Sequence, residues 1–220
     1  MEFSQAVRSR RMTRRFDPDR EVPYPVLAAA LRHALRAPSA GFSQGWDFVV
    51  LTRAHDRARF WAAAGRRGDT DDEWLRGVRA APALVVCCSD PNTYLARYAE
   101  SDKAGADLAR SGWPAPYWDI DVGMAALLIL LTAADHGLGA LFFGVPAAAH
   151  DRVRAALSLP GDRRLVGVVA LGHPAAEAGR PTRRRRCAAE VVHDGRFGVP
   201  WSGQERADDG SSSPARPDAD

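Results

Sequence analysis

The stretch "DIDVGMAALLILLTAADHGLG", residues 119–139, decides the fold of this chain. Its apolar run, Val122 to Leu131, has acids at both ends and falls short of the ~20 residues that span a bilayer. A helix apolar on nearly every face must be covered on every side, so it lies at the centre of the protein or in a contact between subunits. Gly137 is placed as its C-cap.

Strands follow at "ALFFGV" (140–145) and "RLVGVVALG" (164–172), separated by a helix at about 146–157 that opens on Pro146. Upstream, "WDFVVLT" (46–52) and "ALVVCCS" (83–89) read as strands. Helices are expected at the start, ending around Arg10, and at about 24–36, 54–64 and 72–80. The second of these carries Val26, Leu27, Ala30, Leu31, Ala34 and Leu35 on one stripe and stops at Pro38. "SAGFSQG" (39–45) is a loop by composition, and residues 90–118 follow no clear period. "CAAEVVHDGRFG" (187–198) is a last short element. Residues 1–198 are therefore expected to form one domain, and 199–220 a disordered polar tail.

The composition, 46% hydrophobic and 26% charged, is that of a soluble globular protein. Residues 199–220 hold Glu205, Asp208, Asp209, Asp218 and Asp220 against Arg206 and Arg216, so of the net +3 the remainder carries +6. Cys87, Cys88 and Cys187 form neither a disulfide framework nor a metal spacing. The six histidines show no zinc spacing either, and no metal site is expected. "MEFSQAVRSRR" lacks the apolar core of a signal peptide, so a cytoplasmic location is expected. Gly137, Gly139 and Gly144 do not make a dinucleotide fingerprint.

The basic residues are clustered. "RSRRMTRRFDPDR" (8–20) crowds Arg8, Arg10, Arg11, Arg14 and Arg15 together, and "RPTRRRRC" (180–187) forms a second cluster. Three readings fit: a solvated face, a nucleic-acid surface, or arginine forks around one phosphorylated cofactor. Spacing alone leaves all three open.

The order of motifs resembles that of the nitroreductase family of FMN-dependent oxidoreductases. "RRMTRRF" (10–16) is similar to the family's first motif, RRSxRxF, and "APSAGFSQGWDFVVL" (37–51) to APSxxNxQPWxFxVV. "DIDVGMAALLILLTAADHGLGALFFGV" (119–145) resembles its central helix and the turn into a strand, and "LVGVVALGHP" with "RRRRCAAEVV" its last strand and basic motif. The resemblance covers roughly residues 3–198. It implies an α+β nitroreductase-like fold: a central mixed, mostly antiparallel sheet flanked by helices, with the long buried helix at a homodimer interface.

It also implies FMN as cofactor, NADH or NADPH as donor, and ping-pong hydride transfer through flavin N5 to a flat acceptor such as a nitroaromatic or quinone. Arg10 and Arg11 would then serve the phosphate end, and Arg14 the N1–O2 edge of the ring as electrostatic tuner, the closest thing to a catalytic residue. Met12 stands within the same motif, where the family has serine. Pro38, Ser39 and Ala40 match the loop against the flavin; Phe142, Phe143 and Gly144 match the strand end under the ring; Arg183 and Arg185 would close on the phosphate. Trp113, Tyr117 and Trp118 are candidates for the acceptor-binding segment, with a plain core role as the competing reading. Phe42 replaces the family's asparagine, Gly45 its proline, and Cys187 stands where proline is common. Neither nucleic acid nor membrane is expected as a partner. The alternatives are a family offshoot with another flavin reaction (dehydrogenation, dehalogenation or flavin fragmentation) and a non-catalytic anion- or nucleic-acid-binding protein.

Overall fold

A computed structural model describes residues 1–65, 72–103, 112–176 and 185–201. The chain divides into two units, Met1–Ala178 and Gly179–Asp220. In the first, the order is α1 (Phe3–Ser9), α2 (Tyr24–Ala34), β1 (Trp46–Leu51), α3 (Ala54–Ala64), α4 (Glu73–Arg79), β2 (Ala83–Ser89), α5 (Pro91–Tyr98), α6 (Tyr117–Asp135), β3 (Gly139–Phe143), α7 (His150–Leu157) and β4 (Arg164–Gly172).

The strands form one sheet in the order β1-β2-β4-β3, and all three pairings are antiparallel. Among the described residues, the parallel element of the expected mixed sheet is reduced to an isolated bridge between Met12 and Ala140. Every residue of β2 is buried, which explains its unbroken apolar run: a central strand covered on both faces has no polar side to show. Alternation sends Ala83, Val85 and Cys87 to one layer and Leu84, Val86 and Cys88 to the other. The first layer is filled by α2 and α6, the second by Phe60 of α3, Val78 of α4 and Val153 of α7. Burial pushes the Cys88 thiol up to about 12 and Cys87 higher still, so both behave as small apolar side chains.

α6 is the spine. Val122, Ala125, Ala126, Ile129 and Ala133 pack into the first layer. The helix ends in a Schellman motif: Gly137 takes φ +71°, its N–H donates to Ala134 O at 3.1 Å, and Leu138 N–H donates to Ala133 O at 2.8 Å. That turn sends the chain straight into β3. The expected cover on every side is only half present within one chain. Ile120 and Leu127 are 45% and 47% exposed, and Phe3 and Val7 of α1, which packs on α6, are 74% and 44% exposed.

In the second unit, α8 (Ala188–Val191) is capped by Cys187, whose N–H donates to Glu190 Oε2 at 3.1 Å. The backbone then returns, with Trp201 N–H donating to Val192 O at 3.1 Å, so the described part of the expected tail is tied to the helix end. Residues 202–220 lie outside the described residues.

Truncating the fully buried Ile129 to alanine is expected to lower stability by about 3 kcal/mol. The check is urea denaturation, where the midpoint falls and the slope stays unchanged.

Candidate cofactor site

From Arg10 onward the first basic cluster is extended rather than helical. After α1 the chain runs along β3, where Thr13 N–H donates to Ala140 O at 2.9 Å. It continues past the end of β4, where Asp17 N–H donates to His173 O at 2.9 Å and Ala175 N–H donates to Arg15 O at 3.1 Å. Gly139 permits this approach, since a Cβ there would lie 2.6 Å from Thr13 Oγ1.

Arg10 and Arg11 line a cavity of about 310 Å³ with Ser9, Thr13, Leu130, Ala134 and the Gly137–Ala140 turn. Arg10 lines this cavity, and its Nη1 is buried with no hydrogen-bond partner among the described residues. A buried guanidinium nitrogen without an acceptor is costly, and an anion in the cavity would satisfy it. Arg14 is exposed and donates once within its own segment, from Nη1 to Met12 O at 3.2 Å. Arg15 is paired with Glu73 of α4, and Met12 is 36% exposed.

The loop after α2 lies elsewhere. Pro38 is exposed; Ser39 Oγ accepts from Gln44 N–H at 3.0 Å; Ala40 N–H donates to Asp121 Oδ2 at 2.8 Å. Asp121 sits near the start of α6, while Ala134 of the arginine cavity sits near its end. Thirteen residues at 1.5 Å rise set these points about 20 Å apart. One chain therefore does not bring Pro38, Ser39 and Ala40 to Arg10 and Arg11.

The β3 end is divided as well. The ring of Phe142 covers Gly167 on the α6 face, where a Cβ would lie 2.3 Å from Phe142 Cζ. Phe143 points to the other face and stacks on Trp61, with centroids 5.5 Å apart and planes 8° from parallel. Gly144 is exposed. Because Ala140 O faces Thr13 on the outer edge, alternation turns the N–H and C=O of Phe142 to that edge too. Phe143 and Gly144 also line a second cavity, of about 450 Å³, with Trp61 and Trp74, which nothing in the sequence announces.

Trp118 is buried at 5% exposure, and its ring meets Tyr94 and Trp113 edge-on at 6.2 and 5.6 Å. Trp113 is half-buried and Tyr117 is 38% exposed, so of the three candidates Tyr117 has the most accessible face. Arg185 belongs to the second unit and is exposed; Arg183 lies outside the described residues. Among the described residues no His, Cys, Asp and Glu cluster could hold a metal.

Residues 7–173 match the Nitroreductase family. The chain belongs to the nitroreductase family. It is 33% identical over 207 residues to an NADH dehydrogenase of Thermus thermophilus, covering 84% of this chain and 92% of that one. A nitroreductase-like protein of Streptococcus mutans superposes with a TM-score of 0.70 at 21% identity, over 87% of this chain and 97% of that chain. A structure from Desulfovibrio desulfuricans solved in complex with FMN superposes with a TM-score of 0.66 at 23% identity, over 90% and 98% of the two chains. The nitroreductase-like α+β fold is thus the fold of this chain.

Sequence reasoning missed the partners that hold the Ser39–Gln44 loop in this nitroreductase fold. Phe42 takes φ +58° and Gln44 φ +54°, left-handed values that asparagine tolerates better than a bulky side chain, and the Phe42 ring is 76% exposed. Phe42→Asn is expected to raise stability by about 1 kcal/mol, because it relieves this strain and loses little packing. Thermal denaturation checks it, and a lower Tm is the contrary result.

Proposed function

We propose that this chain is an FMN-dependent reductase that works as a pair of identical subunits, oxidising NADH or NADPH and reducing a flat electron acceptor such as a nitroaromatic or a quinone. When bound, FMN supplies the hydride chemistry at N5, and the protein supplies binding, orientation and electrostatics. The observation that carries the reading is the buried, unpartnered Nη1 of Arg10, a residue that lines the 310 Å³ cavity together with Arg11. A phosphate offers it the acceptor that the described residues do not.

The rest of the described site agrees. Three residue steps of extended chain carry Arg11 to Arg14, about 10 Å, enough to reach from a phosphate toward a ring. Arg14 has donors to spare, and its guanidinium would stabilise negative charge developing beside it. The outward N–H of Phe142 is a further donor to the ring edge. Ser39 accepts from Gln44 and keeps its own O–H to give.

Because Ser39 and Ala40 lie about 20 Å along α6 from Arg10 and Arg11, completing one site takes the loop of a second copy. The apolar stripe of Ile120 and Leu127, with Phe3 and Val7 of α1, supplies a surface that such a copy would cover. Tyr117 and Trp113 stand near that loop and offer aromatic edges to the acceptor. Residence in the cytoplasm follows as part of the same proposal.

Purified protein is expected to bind FMN and to oxidise NADH or NADPH with a quinone or a nitroarene. Arg10→Ala is expected to weaken FMN binding roughly tenfold or more. Leu127→Glu is expected to give a monomer that loses FMN altogether. Protein that stays colourless with added FMN, or a Leu127→Glu monomer that binds it normally, defeats the proposal.

A further inference from the structure

The carboxylate of Asp121 is 2% exposed, in a helix segment otherwise packed with apolar side chains. A buried carboxylate is tolerated only when donors meet it, and two donors converge on one oxygen here. Tyr94 O–H donates to Oδ2 at 2.7 Å, and Ala40 N–H donates to the same atom at 2.8 Å. Tyr94 is fully buried; burial and the neighbouring Asp121 charge push its ionisation well above the usual range, so it stays a donor.

The same group of side chains grips the loop at further points. The Tyr94 ring lies against Gly45, where a Cβ would be 2.5 Å from Tyr94 Cε2. Arg97 Nε donates to Gly41 O at 3.0 Å, and its guanidinium is forked onto Asp102 by two bonds of 2.7 Å. Tyr98 lies against Gly41, where a Cβ would be 2.6 Å from Tyr98 Cε2.

Within this grip Gly41, Phe42 and Gln44 stand at φ +62°, +58° and +54°. Two non-glycine residues in left-handed backbone persist only where the surroundings over-determine them, and such strain gathers at ligand-binding segments. A simple link between α2 and β1 would need none of it, and the exposed Phe42 ring contributes little to the core.

We infer that Asp121 is a positioning residue for the cofactor: through Ala40 N–H, with Tyr94 behind it, it holds the Ser39–Gln44 loop in the shape that meets FMN. The inference rests on the reading that this loop meets FMN. Two measurements test it, amide hydrogen exchange of residues 39–44 and the FMN dissociation constant by flavin fluorescence. Asp121→Ala is expected to speed the exchange and to raise the Kd, each roughly tenfold or more. Asp121→Asn, which keeps an oxygen acceptor in place, is expected to recover most of both. Tyr94→Phe removes only the hydroxyl and is expected to give a milder form of the same shifts; it serves also if Asp121→Ala does not fold. Val153→Ala, a truncation in the opposite layer, lowers Tm and is expected to move neither measurement.

Exchange no faster in Asp121→Ala and Tyr94→Phe than in Val153→Ala overturns the inference. So does fast exchange with an unchanged Kd. A wild-type chain that binds no FMN refutes the cofactor reading and the functional half of this inference, while the exchange rates still decide whether Asp121 fixes the loop.

Discussion

The packing of α6 against the sheet is the contact on which the remaining features depend. Val122, Ala125, Ile129 and Ala133 fill the layer that Val85, Cys87, Val169 and Leu171 present, and this fixes the helix in register over the strands. Both loops of the candidate site are then referred to one rigid rod. Asp121 anchors Ala40 near the start, and the Gly137 turn places Ala140 against Thr13 near the end. The rod separates the two half-sites, and the apolar residues it leaves uncovered lie on the surface that pairing would join. Under the proposed pairing, the separation of the half-sites and the uncovered apolar stripe are two results of the same packing.

Electrostatics explains the form of the basic segment. In a helix, Arg10 with Arg14 and Arg11 with Arg15 would share faces and repel. Drawn out along β3, the side chains spread. Arg15 turns to Glu73, Arg14 stays in solvent, and Arg10 and Arg11 reach the cavity at the end of α6. Segregating the charges in this way lets one short stretch supply a structural ion pair and line a cavity together.

The regular elements were legible because their signals are local. Short apolar runs between turn and helix signals marked all four strands within a residue or two, and the longer apolar run marked α6. α5 was not legible, since Tyr94, Arg97 and Tyr98 act on a loop some fifty residues earlier and no local pattern records that. Asp121 read as an acid flanking an apolar run, although its burial depends on the Ala40 N–H and the Tyr94 hydroxyl. The division of Phe142 and Phe143 between two faces followed from strand alternation. The aromatic cavity against Phe143 did not, because Trp61 and Trp74 come from helices that meet only in the tertiary fold.

β3 is an outermost strand, and such strands invite another chain to add on and polymerise. Here Met12 and Thr13 lie along its first half, with arginines on both sides in sequence. An approaching strand meets a hedge of guanidinium groups where it would look for bare amides. The segment proposed to gather an anion therefore also shields this edge, and neutralising its charges to probe ligand binding would weaken that shield.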